Sequence, residues 1–141
     1  MKCRTQLTVR TYECDSYNHV NNAVYLHYLE HGRMDFLTQI GFDYRGLVAR
    51  GLFLYVSRVD IRYRSPAFFG DELVVESEPV TLKAASGTIR QRVVKADGTL
   101  CAEADVTWAC VGADGRLSKI PPELMVDGLR PAARPTPDSS A

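Results

Sequence analysis

"NNAVYLHYLEHGRMDFLTQIG", residues 21–41, is the stretch on which the fold turns. Tyr25, Tyr28, Leu29, Gly32, Phe36, Leu37 and Ile40 recur at three- and four-residue steps, the period that puts side chains on one face of an α-helix. Asn21 or Asn22 can cap its start, because an Asn side-chain oxygen accepts from the unbonded amides of a first turn. Gly41 follows where a helix end commonly needs a left-handed residue. The spacing predicts a helix over 22–40. Gly32 sits in the middle of the apolar face, where glycine costs about 1 kcal/mol against alanine. Close approach of the helix backbone to something flat offsets that cost, and a sheet is the natural partner.

Outside this stretch the period changes to two. From Gln6 to Glu13, Leu7, Val9 and Thr11 alternate with Thr8, Arg10 and Tyr12, as in a strand. In "LFLYVSRVDIRYRS", residues 52–65, Phe53, Tyr55, Val59, Ile61 and Tyr63 share one parity. Arg58, Asp60, Arg62 and Arg64 share the other. "PAFFGD", residues 66–71, turns into "ELVVESEPV". A further strand runs from about Thr88 to Lys95, and Asp97-Gly98 is a hairpin signal. The last strand, about 100–111, puts Ala102, Ala104, Val106, Trp108 and Cys110 on one face, and Asp114-Gly115 ends it. The order is β-α-β-β-β-β. This is an α+β chain in which one face of an antiparallel sheet wraps the helix and the other carries arginines.

A length of 141 residues suits one domain with a real core. Lys plus Arg equals Asp plus Glu at 17 each, so the formal net charge is zero, which argues against a general nucleic-acid binder. The N-terminal "MKCRTQLTVRTYE" has no apolar signal core, and no stretch approaches the length of a membrane span. Cys3, Cys14, Cys101 and Cys110 form no CxxC pair and no metal-like spacing with the histidines, so packed, reduced thiols and a cytoplasmic setting are expected. The folded domain is expected over 1–125. The remainder, 126–141, lacks large apolar residues from Pro131 onward and is expected to be a Pro-rich disordered tail.

The octet "DSYNHVNN", residues 15–22, packs an acid, a histidine and three amides against the helix start. One reading is a turn and cap, with Asp15 serving the helix dipole. The other is chemistry: a carboxylate to activate water or attack a carbonyl, beside amides that can receive an oxyanion. Cys14 adjoins Asp15, but neighbours in an extended segment point to opposite faces, and no motif supplies it with a base. Glu30 lies three residues before Arg33, a spacing that suits an ion pair on one helix face.

Three segments together carry a resemblance. "VRTYECDSYNHVNNAVYLHYLEHGRMDFL", "VDIRYRSPAFFGDEL" and "VVKADGTLCAEADVTW" resemble the hotdog-fold acyl-CoA thioesterases of the 4-hydroxybenzoyl-CoA thioesterase family, and within it the bacterial long-chain acyl-CoA thioesterase III branch. The resemblance covers about residues 5–122 and joins DxxxHVNNxxY to YRxPxxxGD. It implies a hotdog fold, with the long helix wrapped by the sheet. It also implies hydrolysis of a fatty-acyl-CoA to fatty acid and CoA in lipid metabolism, no metal or other cofactor, and a homodimer or homotetramer with sites at the subunit interface. Under it Asp15 is the catalytic acid, the amide at Asn22 polarises the thioester carbonyl, and His19 supports them. Asn21, Tyr25, Ser65, Pro66, Phe68 and Phe69 touch substrate, and Arg62 and Arg64 are candidates for the CoA phosphates. The loop Ser65–Gly70 is expected from the opposite subunit. Phe53, Tyr55, Phe68 and Phe69 are candidates for an acyl tunnel between helix and sheet. The alternatives are an acyl-carrier-protein thioesterase, a hydratase or dehydratase on the same fold, and a catalytically silent acyl-binding subunit.

Overall fold

The computed structural model describes residues 2–132. Its main elements are β1 (Cys3–Thr8), α1 (Asn22–Gln39), α2 (Tyr44–Ala49), β2 (Leu52–Tyr63), β3 (Glu72–Leu82), β4 (Ser86–Lys95) and β5 (Leu100–Gly112). The strands form one antiparallel sheet in the order β1-β3-β4-β5-β2. The α+β hotdog arrangement expected from the sequence is therefore observed. β1 and β2 lie at opposite edges, so the chain crosses the whole sheet between them, and α1 makes that crossing. α1 packs on β1, β3 and β4, while α2 packs on β2.

The predicted helical face is the buried one: Tyr25, Tyr28, Leu29, Gly32, Phe36 and Leu37 all turn inward. Asn21 is the cap, its side chain accepting from the Ala23 N–H at 2.9 Å. Gly41 takes φ +75°, which lets the Phe42 N–H reach back to Leu37 O at 2.9 Å. At Gly32 a Cβ would stand 2.6 Å from Val75 Cγ1 and 3.2 Å from Gln91 Nε2. The helix backbone rests on the sheet there, as its glycine suggested. Ala102, Ala104, Val106, Trp108 and Cys110 of β5 are buried beneath the helices.

Four expectations are corrected. The first strand does not run over 6–13 but over Cys3–Thr8, and Thr11–Glu13 is a 3-10 turn. The Glu13 carboxylate folds back onto the Arg10 N–H at 2.7 Å, and this local bond outcompetes a strand ladder. The helix α2 was not anticipated; Asp43 caps it through the Gly46 N–H at 2.9 Å and Leu47 anchors it. In β2 the register shifts between Val56 and Arg58, leaving Ser57 as an extra residue. Leu54 and Val56 pair opposite Cys110 and Trp108, on the same face as Val59 and Ile61, so Phe53 and Tyr55 turn to the opposite face. Finally, the packed chain continues past 125: Leu129 is 2% exposed and sits in a cluster with Cys3, Phe36 and Ile120. Most of the expected tail, residues 133–141, lies outside the described residues.

Cys3, Cys101 and Cys110 are buried free thiols, and burial pushes each of them up from the usual thiol range. Among the described residues no helix is long and apolar enough to cross a membrane.

Candidate active site

The loop between the 3-10 turn and α1 is a small closed structure. Its neck is the bridge between Cys14 and Val20 together with the Asn21 N–H donating to Glu13 O at 2.9 Å. Inside it Asp15 Oδ1 accepts from the backbone N–H groups of Tyr17 (2.9 Å) and His19 (3.3 Å). The Asp15 N–H donates to His19 O at 2.8 Å, and Asn18 adopts the left-handed φ of +68° that asparagine tolerates. One carboxylate oxygen thus fixes the loop. The other, Oδ2, has no hydrogen-bond partner among the described residues.

At the helix start the Ala23 and Val24 N–H groups are taken by Asn21, whereas the Asn22 N–H meets no protein acceptor among the described residues. An unbonded N–H at a helix N-terminus is a ready donor to an oxygen bearing negative charge. Asn22 O accepts from the Tyr63 hydroxyl at 2.9 Å, which ties the first helical residue to the end of β2. Sequence reasoning missed Tyr63 as a site residue, although it opens the quoted YRxPxxxGD motif.

An open cleft of about 420 Å³ brings together Asp15, His19, Asn22, Tyr25, Arg64, Ser65 and Pro66, with Val20 and Tyr63 completing its wall. Seven of the residues singled out from the sequence meet there. Tyr25 is buried, its hydroxyl oxygen accepts from the Ala67 N–H at 3.2 Å, and burial pushes the phenol up to about 12. Asn21 stands beside the cleft as the helix cap. The His19 ring packs edge-on against Phe68, with centroids 5.5 Å apart, while its backbone N–H joins that of Tyr17 in orienting Asp15. Arg64 donates through Nε (3.1 Å) and Nη2 (2.6 Å) to Glu103 Oε1, and this partner holds the Glu103 carboxyl below the usual range.

Several expectations change. The loop Ser65–Gly70 lies against Asp15 of the same chain: the Val20 N–H donates to Ala67 O at 2.8 Å, and His19 bridges Phe68. The second phenylalanine, Phe69, is 58% exposed and stands outside the cleft. Arg62 is on the outer sheet face, in a separate hollow with Asp60, Arg90, Arg92, Glu103 and Asp105. That hollow, about 480 Å³, is larger than the cleft. Two of its three arginines are engaged, Arg90 with Asp105 at 3.0 Å and Arg92 with Glu76 at 3.5 Å, while Arg62 has no ion-pair partner among the described residues. Arg33 bonds Gln91 at 3.1 Å and makes no ion pair with Glu30. Cys14 Sγ turns to Arg10 O, away from the cleft.

Between α1 and the sheet is a cavity of about 110 Å³ lined by Met34, Leu37, Leu54, Val56, Ile89 and Trp108, with Glu30 and Arg33 at its polar side. The four aromatic residues expected there are elsewhere. Phe53 and Tyr55 stack on each other on the face turned away from it, and Phe68 and Phe69 belong to the loop beside Asp15. Among the described residues no group of three or more His, Cys, Asp and Glu side chains is placed to hold a metal ion.

A helix wrapped by an antiparallel sheet, with an acid loop at the helix start, defines the class, and comparison with known proteins agrees. The chain belongs to the thioesterase-like superfamily, whose family model matches residues 9–127. It is 35% identical over 109 residues to the long-chain acyl-CoA thioesterase FadM of Escherichia coli (strain K12), covering 77% of this chain and 82% of that one. It is 38% identical over 88 residues to the chloroplastic acyl-acyl carrier protein thioesterase ATL3 of Arabidopsis thaliana, covering 62% of this chain and 43% of that one. A crystal structure of a hypothetical protein from Thermus thermophilus superposes with a TM-score of 0.81 at 33% identity, covering 88% of this chain and 92% of that one.

Proposed function

We propose that this protein hydrolyses acyl-CoA thioesters to a free acid and CoA, with Asp15 as general base or nucleophile and the Asn22 N–H as the oxyanion donor. The observation that carries the reading is the pairing of an anchored carboxylate, one oxygen free, with an unbonded helix-start amide on the same cleft. A thioester carbonyl seated on the Asn22 N–H is polarised where charge develops in the transition state. As a base, Asp15 takes a proton from water as the oxygen adds to the carbonyl carbon, and the C–S bond then breaks to release the CoA thiolate. As a nucleophile, it forms an anhydride that water opens. Either route ends in the same products. His19 and Tyr63 keep the carboxylate and the amide in place.

FadM is named for long-chain acyl-CoA, and the similarity supports a medium- or long-chain acyl group here. The cavity beneath α1 is the apolar space for its end. A second reading, hydrolysis of an acyl group on a carrier protein, is favoured by the similarity to ATL3. The chemistry is the same and the thiol differs. The free thiols favour a cytoplasmic working place, and an exposed β2 edge favours a homodimer.

Release of free thiol from acyl-CoAs of increasing length tests the reading, with the matching acyl-carrier proteins as the second arm. Turnover should climb with chain length, each buried methylene contributing up to about 0.8 kcal/mol. Asp15→Asn should lower kcat by at least about a hundredfold with KM little changed. Undiminished hydrolysis by that variant removes Asp15 from the mechanism. A preference for acetyl-CoA rejects the long-chain substrate.

A further inference from the structure

Both ends of the acid loop are held by one buried residue that does not face the cleft. Glu13 is 7% exposed. Its Oε1 accepts from the Arg10 N–H at 2.7 Å and from the Tyr28 hydroxyl at 3.0 Å, and its Oε2 lies 3.4 Å from Arg10 Nη1. Its backbone oxygen accepts from the Asn21 N–H at 2.9 Å. The side chain is thus bonded to the second turn of α1, while the carbonyl holds the residue that caps the helix. Asp15 follows two positions later, and Asn22 comes directly after the cap. Glu13 and Tyr28 border a different hollow, with Arg10, His27 and His31, which shares no lining residue with the cleft.

We infer that Glu13 and Tyr28 form a positioning pair, whose hydrogen bond sets where the Asp15 carboxylate stands relative to the Asn22 N–H. The pair takes no part in bond-making. The inference rests on the reading of Asp15 and Asn22 given above. Stability alone does not call for this arrangement, because a buried carboxylate is costly and an apolar pair of the same volume is often as stable. What a satisfied buried polar contact adds is one defined geometry. Tyr28 is 3% exposed and packs on Tyr25 at a ring separation of 5.9 Å, so its ring fills the core with or without the hydroxyl. Burial, and then the hydrogen bond to Glu13, push its phenol far up, which keeps it a donor at every working pH.

The test compares kcat, KM and thermal stability of the full chain for Asp15→Asn, Tyr28→Phe, Glu13→Gln and Ser77→Ala. A misplacement of about 1 Å can cost about a hundredfold in rate. Removal of the Tyr28 hydroxyl alone should lower kcat about tenfold with KM within about twofold. Glu13→Gln keeps a carbonyl oxygen for that hydroxyl and should stay within about threefold of the wild type. Ser77→Ala removes a buried bond to Gln91 in the sheet, 2.9 Å long, and serves as the control. It should lower stability and leave kcat unchanged. Full kcat in Tyr28→Phe overturns the inference, as does a rise in KM alone, or a loss of kcat in Ser77→Ala equal to that in Tyr28→Phe. If Asp15→Asn collapses turnover while Tyr28→Phe does not, the positioning pair alone is wrong. If Asp15→Asn keeps full turnover, the reading beneath it is wrong as well.

Discussion

At Gly32 there is no room for one methyl group. An added Cβ would meet Val75 Cγ1 at 2.6 Å, and Val75 is fully buried and branched at Cβ, so it cannot swing aside cheaply. Gly32→Ala should therefore lose more through overpacking, about 1–3 kcal/mol, than the roughly 1 kcal/mol alanine gains in helix propensity. Thermal unfolding should show a net loss of about 1 kcal/mol, with Tm lower by about 3 °C for a domain of this size. Adding Val75→Ala should cancel much of that loss relative to Val75→Ala alone, because the second change supplies the missing space. An unchanged or raised Tm in Gly32→Ala rejects the close packing. Asp15 presents the opposite case. Its loop bonds use Oδ1 as an acceptor, and asparagine keeps that oxygen, so a loss of rate in Asp15→Asn is not a loss of fold.

The helix α1 begins because Asn21 bonds the Ala23 N–H, and that contact can be removed alone. Asn21→Ala should cost about 1 kcal/mol of stability, and denaturant titration should show it as a shift in midpoint at constant slope. A midpoint unmoved by the change means that the cap is supplied elsewhere. The same helix was legible in the sequence because its period persists over five turns and both ends carry caps. Shorter elements were not. α2 spans six residues, too few for a period to register. β1 was misplaced because alternation continues through Val9 and Thr11, while the Glu13 side chain bends the chain before the pattern ends. The cleft was legible where a motif fixed it, at Asp15, His19, Asn22, Ser65 and Pro66. Arg62 was grouped with Arg64 by parity, but β2 ends at Tyr63, and beyond a strand end parity no longer says which way a side chain points. Tyr63 read as one more apolar strand residue, since its bond to Asn22 O joins positions 41 apart.

The molecule as a whole should be sensitive to alkali and to dilution. Burial raises the Tyr25 phenol to about 12 in the folded state, above the value near 10 of an unfolded chain, and Tyr28 shifts the same way. The folded state then binds more protons than the unfolded one between those values. The stability associated with Tyr25 is fully present below about pH 10 and is lost as pH rises toward 12. Tm should fall across that interval, less steeply in Tyr25→Phe, and an equal slope in both chains contradicts the assignment. At the edge of the sheet, β2 leaves one side of its backbone unpaired, with Val59 38% and Tyr63 48% exposed. Such an edge invites a second copy, and sedimentation at micromolar concentration should show a dimer or a multiple of it. A monomer with full activity rejects the proposed assembly. The extra residue at Ser57 bears on descent as well as shape. Losing it would only make the ladder regular, with Val56 still opposite Trp108 and Leu54 opposite Cys110. Pairing Ser57 into the ladder would instead act as a frameshift in burial, turning Leu52, Leu54 and Val56 out to solvent and Phe53 and Tyr55 in. A related chain of equal length that lacks the bulge should therefore carry the opposite alternation before it. Two sequences can disagree at every position of that half-strand and still build the same wall.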